Sequence, residues 1–196
     1  MIIDTARVSN PENQGKEGTK LLSYLIRNRH FSPFEMASAC FEIETTRDIA
    51  RQILRHRSFS FQEFSQRYAE VHVNPQFREG RLQDPKNRQN SLPNNDELLE
   101  QGWKQAQEEV YSLAMKHYRT ALDFGIAKEQ ARALLPEGLT PSRMYMSGTI
   151  RSFMHYLDVR TGNGTQKEHM DVAWSIYEQL FEAIPTIMTT VMENRT

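Results

Sequence analysis

Apolar residues recur every three or four positions from Leu99 to Ala121, and this spacing constrains the fold more than any other feature of the chain. The residues that share it are Leu99, Trp103, Ala106, Val110, Leu113, His117 and Ala121. The pattern predicts one helix of about thirty residues, which begins after a capping box of Asn94 and Glu97 and ends at Gly125. A helix of that length spans about 45 Å. We therefore expect part of its apolar face to contact another subunit.

Weaker periodic patterns predict the other elements. Apolar spacing of three and four predicts helices over about 16–28, 128–134 and 166–183, the last stopped by Pro185, and one more helix that starts at Thr149. The alternation of Phe41, Ile43 and Thr45 with polar neighbours predicts a half-buried strand, after which Thr46 opens a helical segment. Residues 143–147 are interpreted as a second extended segment. These patterns predict an α+β (or α/β) fold, and the length of the chain suits one large domain or two small ones.

The segment 74–94 differs from the rest because it is polar, has no period and contains Pro75, Gly80, Pro85 and Pro93. Loops of this length without regular structure are usually functional lids or disordered segments. We therefore expect a mobile loop here.

Composition excludes several functions and compartments. The formal net charge of −1 argues against binding to nucleic acid or an anionic membrane through bulk charge. No apolar run approaches the roughly 18 residues of a membrane helix, and the first ten residues do not resemble a signal peptide, so we expect a cytoplasmic protein. The single cysteine, Cys40, cannot form an internal disulfide, and we interpret it as a buried structural thiol. No group of residues has the spacing of metal ligands, and no metal is implied.

Arginines are concentrated in one segment of the chain. Of the 24 basic residues 17 are arginine, and five of these lie between Arg47 and Arg67, with no lysine and only two acids. A guanidinium presents paired donors that match phosphate and carboxylate oxygens. A chain turn at His56 would direct Arg55 and Arg57 differently, which favours two anionic ligands.

The residues after this turn predict a further cluster. If 63–67 is extended, Glu63, Ser65 and Arg67 point the same way and together suit a phosphorylated sugar. The alternative is that these arginines are solvated or paired with acids elsewhere, and spacing alone leaves both interpretations open.

Arg55-His56-Arg57, followed after seven residues by Ser65, resembles the hallmark motif of the flavin-dependent thymidylate synthases, the ThyX family. Glu63, Arg67 and Tyr68 extend the match. Further matches run along the whole chain, and they are Ala6-Arg7-Val8-Ser9, His30 with Ser32-Pro33-Phe34-Glu35, Ala131-Arg132 before Leu135-Pro136, and Arg151 with Arg160. The chain departs from common family residues at Met36, Thr149 and His155, where many members have histidine or asparagine.

The resemblance implies the reductive methylation of dUMP to dTMP by a methyltransferase. Methylenetetrahydrofolate would supply the carbon, and NADPH the hydride through bound FAD. The resemblance also implies a single domain over 1–196, in which a small sheet is flanked by long helices. It further implies a homotetramer with active sites at subunit interfaces, and neither nucleic acid nor a membrane as partner.

The resemblance assigns most of its site residues to two groups. The residues expected to bind dUMP are Gln52, Ile53, Leu54, Arg55, Glu63, Phe64, Ser65, Gln66, Arg67, Arg132 and Arg160. The residues expected to surround FAD are Ser9, Ser32, Glu35, Arg55, His56, Arg57, Glu63, Thr149, Ile150, Arg151 and His155. Arg160 is the catalytic candidate, because a fixed guanidinium stabilises the negative charge that hydride addition builds on the uracil ring.

Two other functions remain as alternatives. One is a non-catalytic protein that binds the phosphates of nucleotides or nucleic acids through the arginine segment, for which salt-sensitive binding would be diagnostic. The other is the unrelated thymidylate synthase that uses a cysteine nucleophile, but no motif of that class surrounds Cys40.

Overall fold

The computed structural model describes residues 1–71 and 74–194. Its helices are α1 (Ile2–Ala6), α2 (Thr19–Arg27), α3 (Arg47–Ile53), α4 (Glu97–Asp123), α5 (Lys128–Ala131), α6 (Ile150–Arg160), α7 (Lys167–Ala183) and α8 (Pro185–Glu193). Its strands are β1 (Ser38–Thr46), β2 (Ser60–Glu63), β3 (Leu82–Gln83), β4 (Ser91–Leu92) and β5 (Pro141–Thr149). Short 3-10 turns cover Pro11–Asn13, Ser32–Met36 and Arg132–Leu134. In the described ranges, none of these helices has the length and apolar character needed to cross a membrane.

A three-stranded sheet in the order β1-β5-β2 forms the β part of this mixed fold. Phe41, Ile43 and Thr45 are buried along β1, which confirms the strand predicted from their alternation. The pattern was readable because successive side chains of a strand point to opposite faces.

The thiol of Cys40 is exposed, so its interpretation as a buried structural group was wrong. The side chain shares the exposed positions of β1 with Glu42 and Glu44, whereas the neighbouring Phe41 is buried. The alternation that places Phe41 in the core therefore places Cys40 outside it.

The chain forms two compact units, which we describe separately. Unit 1 comprises 1–41, 56–61 and 145–196, and unit 2 comprises 42–55 and 62–144. In unit 1, α8 packs against α2 and α7, and α6 packs against α7 and the 3-10 turn Ser32–Met36. The helix predicted to end before Pro185 does end there, but it is not the last, because Pro185 begins α8. Proline fits the first turn of a helix, where its missing N–H leaves no hydrogen bond unmade.

In unit 2 the long helix α4 provides one side of a core cluster. Tyr111, Met115 and Tyr118 on α4 pack with Val71 and with residues around α5. The N-cap of α4 is Asp96, whose carboxylate accepts hydrogen bonds from the amides of Leu98 and Leu99 at 3.0 and 3.2 Å. The predicted capping box of Asn94 and Glu97 was therefore wrong, because the N-cap of α4 lies two residues after Asn94.

The apolar face predicted for α4 lies mostly outside this core. Leu99, Trp103, Val110 and Leu113 are exposed within the chain, with Leu113 58% accessible. The helix buries the adjacent positions instead. The expectation that another subunit covers the exposed face therefore stays a prediction.

The segment 74–94 has more structure than its composition indicated. β3 and β4 pair antiparallel within it, with Leu82 opposite Leu92. Its first part is tied to α4, because Gln107 accepts from the amide of Arg78 at 2.8 Å and donates to its carbonyl at 2.9 Å. The expectation of an unstructured loop is corrected, and the mobility of the segment stays a prediction.

Candidate functional site

Unit 1 contains a cavity of about 860 Å³. It is bordered by the end of α2 and the turn after it, by one face of α6, and by the end of α8. The lining residues are Ile26, Arg27, Arg29, Phe31, Glu35, Ser58, Thr149, Arg151, Ser152, Met154, His155, Asp158, Val191 and Asn194. Its volume lies in the upper part of the range found for pockets that bind drug-sized ligands and cofactors.

The polar wall of the cavity is one face of α6. Thr149 is the N-cap of this helix and accepts from the amide of Ser152 at 3.2 Å. Arg151, His155 and Asp158 then follow at helical spacing and line the cavity together. The buried residues of α6, among them Phe153 and Leu157, lie on the other side of the helix.

Arg151 is held in place from the opposite wall. Its guanidinium forms a close ion pair with Glu35 and lies 6.0 Å from the ring centroid of Phe31. Although Asp158 lies on the same face of α6, the ion-pair partner of Arg151 is Glu35. Both partners belong to the residues that the resemblance assigned to the flavin.

Two more arginines reach the cavity from the end of α2. Arg27 pairs with Glu193 at 3.4 Å, with both side chains more than half exposed. Arg29 follows the helix in the left-handed region at φ 58°, the only non-glycine residue with positive φ in the described ranges. Neither arginine had been predicted as a site residue, and no motif in their neighbourhood singles them out.

The lining fits the group that the resemblance implies. FAD carries two phosphates between two flat ring systems, and it needs cationic donors beside apolar surface. The cavity offers both, with three guanidiniums and with the apolar side chains of Ile26, Phe31, Met154 and Val191. The donor set of this cavity therefore suits a flavin dinucleotide.

The predicted flavin residues divide into three groups. Glu35, Thr149, Arg151 and His155 line the cavity. Other members belong to unit 1 but do not line it, namely Ser9, Ser32, His56, Arg57 and Ile150. Arg55 and Glu63 belong to unit 2.

Several lining residues were not predicted, namely Arg27, Arg29, Phe31, Ser58, Ser152 and Asp158. Of these only Asp158 could have been found, from its spacing to Arg151 and His155.

A second polar cluster of unit 1 surrounds Arg160 at the end of α6. Its Nε donates to Nε2 of His56 at 2.8 Å. The His56 ring meets the Tyr156 ring edge-on, with centroids 5.0 Å apart, and Nε2 of His169 lies 3.1 Å from the Tyr156 hydroxyl. The hydrogen bond to His56 therefore gives Arg160 a fixed direction, and the rings of Tyr156 and His169 pack edge-on against His56.

Burial sets the protonation of this cluster. His169 is fully buried, and burial together with the cationic Arg160 and with His56 lowers its pKa to about 3. Burial also raises the pKa of Tyr156 far above its usual value. Both groups are therefore neutral around pH 7, and Arg160 carries the charge.

In unit 2, Glu63 ends β2 and is partly buried. It accepts from Ser142 at 2.8 Å and pairs with Arg47 at 3.4 Å. The chain then leaves the extended conformation, because the amides of Tyr68 and Ala69 both donate to the carbonyl of Ser65. The predicted alternation of Glu63, Ser65 and Arg67 on one face of a strand was therefore wrong.

This turn brings two of the predicted nucleotide residues to one point. Arg67 pairs with the Glu129 carboxylate at 3.6 Å, and Arg132 donates to the Glu129 carbonyl at 3.2 Å. Gln66 is 3% exposed, and its Nε2 has no hydrogen-bond partner among the described residues. A buried amide without a partner is costly, so it indicates a ligand or water at that point.

The remaining nucleotide candidates of unit 2 lie at the end of α3 and after β2. Ile53 is fully buried, Leu54 is the C-cap of α3, Gln52 is half-buried and Arg55 is exposed. Phe64 is 40% exposed, and its amide donates to the carbonyl of Arg143 at 2.9 Å. Ile53 therefore supports the core, while Arg55 and Phe64 face outward from the unit.

Comparison with known proteins gives a consistent result. The family model Thy1, described as thymidylate synthase complementing protein, matches residues 1–186. The probable flavin-dependent thymidylate synthase of Paramecium bursaria Chlorella virus 1 is 51% identical over 95% of this chain and 87% of the viral protein. The flavin-dependent thymidylate synthase of Synechocystis is 47% identical over 95% of this chain and 86% of its own length.

Solved structures agree with these relatives. The UMP/dUMP methylase PolB from Streptomyces cacaoi, bound with 5-Br dUMP, superposes with a TM-score of 0.84 at 28% identity. The match covers 99% of this chain and 90% of PolB. The same protein bound with 5-Br UMP gives a TM-score of 0.82.

Proposed function

The chain belongs to the flavin-dependent thymidylate synthases, and from this we propose that it methylates dUMP to dTMP with methylenetetrahydrofolate as carbon donor and NADPH as reductant. The observation that carries the proposal is the cavity of unit 1, whose guanidiniums and apolar side chains suit a flavin dinucleotide. When bound, FAD supplies the hydride chemistry that no protein side chain can perform.

The residues of the cavity have separate tasks in this proposal. Arg151, held by Glu35, presents its remaining donors to a phosphate oxygen. Phe31 and Met154 cover an aromatic ring system and keep water from it. Thr149 and His155 stand where many family members have asparagine, and both keep a side chain that can donate and accept hydrogen bonds.

The nucleotide is assigned to residues of unit 2. Arg67 and Arg132 meet at Glu129, and their guanidiniums supply donors for the 5′-phosphate. Gln66 has a buried amide donor ready for a nucleotide oxygen. Ser65 assists as a hydroxyl donor and is not proposed as a nucleophile, since a serine nucleophile needs an adjacent base.

Arg160 is assigned the catalytic role. A guanidinium stays charged at any pH near 7, and the hydrogen bond from its Nε to Nε2 of His56 keeps it directed at one point. Such a fixed positive charge stabilises the anion that forms on the uracil ring during hydride transfer.

We assign dUMP as the nucleotide and a homotetramer as the assembly. PolB is described as acting on both UMP and dUMP, so the sugar has to be tested directly. The exposed apolar face of α4 supports an assembly in which another subunit covers it. The alternative of a non-catalytic phosphate-binding protein has no comparable support.

The proposal is tested by the dependence of flavin oxidation on the nucleotide. Purified protein is saturated with FAD, reduced anaerobically with NADPH, and mixed with methylenetetrahydrofolate and either dUMP or UMP. We expect a yellow protein whose flavin is reoxidised with dUMP at least about tenfold faster than with UMP. A protein that stays colourless after saturation with FAD would exclude the proposed cofactor.

A further inference from the structure

Arg29 occupies a backbone position that normally selects glycine. The amide of His30 donates to the carbonyl of Leu25 at 2.8 Å, and the amide of Arg29 donates to that of Ile26 at 3.0 Å. These two bonds close α2 with a Schellman motif, in which the left-handed residue is usually glycine. At φ 58° the Cβ atom of arginine is crowded by its own backbone. Both bonds would form equally well with glycine, so the helix end does not explain the arginine.

Arg29 differs from the other two arginines of the cavity in that its guanidinium has no acidic partner among the described residues. The guanidiniums of Arg27 and Arg151 are engaged with Glu193 and Glu35. The side chain of Arg29 is exposed, and it makes no hydrogen bond or ion pair with any residue in 1–71 or 74–194. Asp158 also lines the cavity, but it makes no ion pair with Arg29. One uncommitted cation therefore faces the cavity from a strained position.

We propose that Arg29 binds the pyrophosphate of FAD and that its left-handed conformation is retained for this contact. The inference rests on the proposed flavin function of the cavity. A guanidinium offers paired donors to phosphate oxygens. Strained backbone tends to occur where it positions a functional group. Compared with glycine at the same position, Arg29 therefore lowers the free energy of unfolding of the FAD-free protein and strengthens the binding of FAD.

Three substitutions separate the charge from the strain. Arg29→Gly removes both the cation and the strain, Arg29→Ala removes the cation and keeps a Cβ atom, and Arg29→Lys keeps a cation and the strain. Lys20→Ala is the matched control, because Lys20 is an exposed cation of the adjoining helix α2 and does not line the cavity. Each variant is measured as FAD-free protein by thermal unfolding, and by fluorescence titration with FAD and with riboflavin, which has no phosphate.

We expect Arg29→Gly to raise the melting temperature of the FAD-free protein by about 2–4 °C, and Arg29→Ala and Arg29→Lys to leave it nearly unchanged. Arg29→Gly and Arg29→Ala should weaken FAD binding about tenfold, Arg29→Lys should weaken it less, and riboflavin binding should not change. Lys20→Ala should bind FAD like the wild type.

Three results would overturn the inference. FAD affinity unchanged in both Arg29→Gly and Arg29→Ala would remove Arg29 from the site while leaving the flavin function intact. An equal loss of riboflavin affinity would assign the residue to the ring system. A lower melting temperature for Arg29→Gly would refute the argument from strain. A wild-type protein that binds no FAD would instead refute the proposed function itself.

Discussion

The Nε atom of Arg160 donates a hydrogen bond to Nε2 of His56 over 2.8 Å. A guanidinium has no lone pair to offer, so Nε2 of His56 is the acceptor and the ring proton lies on Nδ1. Protonation of His56 would break this contact and place two cations side by side. The direction of Arg160 therefore depends on a neutral His56.

His169 is buried next to this pair, and we predict that it makes the folded protein less stable at low pH. Its pKa is lowered to about 3, whereas an unfolded histidine titrates near 6.5. Between these values the unfolded chain binds a proton that the folded chain does not, so stability falls as pH falls, by roughly 1.4 kcal/mol per pH unit. Urea unfolding of wild type and of His169→Gln between pH 7 and pH 4.5 should show the steeper loss in the wild type. Parallel curves would contradict this assignment.

Gly148 lies beside the same cluster, at a position where the structure has no room for a larger side chain. A Cβ atom there would lie 2.4 Å from Cδ1 of Phe59, whose ring packs against Phe153 with centroids 4.8 Å apart. We expect Gly148→Ala to lower the free energy of unfolding by about 1–3 kcal/mol. Gly102→Ala is the control, because a Cβ atom in the middle of α4 meets nothing within 4 Å and should stabilise by about 1 kcal/mol. Equal effects of both changes would refute the crowding at Gly148.

We predict that the side chain of Arg78 anchors the segment 74–94. Its guanidinium donates to both carboxylate oxygens of Asp48 at 2.7 Å and to the hydroxyl of Thr46 at 3.0 Å. Arg78→Ala should cost about 1.5–3 kcal/mol and increase amide hydrogen exchange in residues 76–83. Arg88→Ala changes an exposed arginine of the same segment and should alter neither quantity. Unchanged exchange in Arg78→Ala would show that the hydrogen bonds between this segment and Gln107, Trp103 and Glu100 of α4 hold it without the ion pair.

We predict that replacing Cys40 has little effect on either activity or stability. The thiol is exposed on β1, so Cys40→Ala opens no core cavity, and activity should stay within about twofold of wild type, with stability changed by about 0.5 kcal/mol or less. The measurement is steady-state turnover with thermal unfolding. An inactive but folded variant would support the thymidylate synthase class that uses a cysteine nucleophile.

Local periodicity explains which parts of the fold could be predicted. The alternation of Phe41, Ile43 and Thr45 indicated β1, and apolar spacing indicated the helix that starts at Thr149, which is α6. Each pattern reflects the geometry of a single element, which a sequence records directly.

Features that depend on turns or on distant segments were missed. The turn at Ser65 and the left-handed Arg29 depend on backbone torsions that neighbouring residue types do not determine. The choice of face on α4 depends on what packs against it, and Leu113 is exposed because the core lies beside Tyr111 and Tyr118. The cavity itself combines segments more than one hundred residues apart, such as Glu35 and Arg151, which only the family resemblance connected.

The role proposed for Arg160 in nucleotide methylation is tested most directly by release of tritium from dUMP labelled at carbon 5, with FAD, NADPH and methylenetetrahydrofolate present. Wild type should release tritium as dTMP forms, and Arg160→Ala should lose at least about a hundredfold in rate, as expected when a group that stabilises a developing anion is removed. FAD content and unfolding of the two proteins are compared in the same preparations. Equal tritium release by a folded, flavin-loaded Arg160→Ala protein would contradict the proposed role of Arg160.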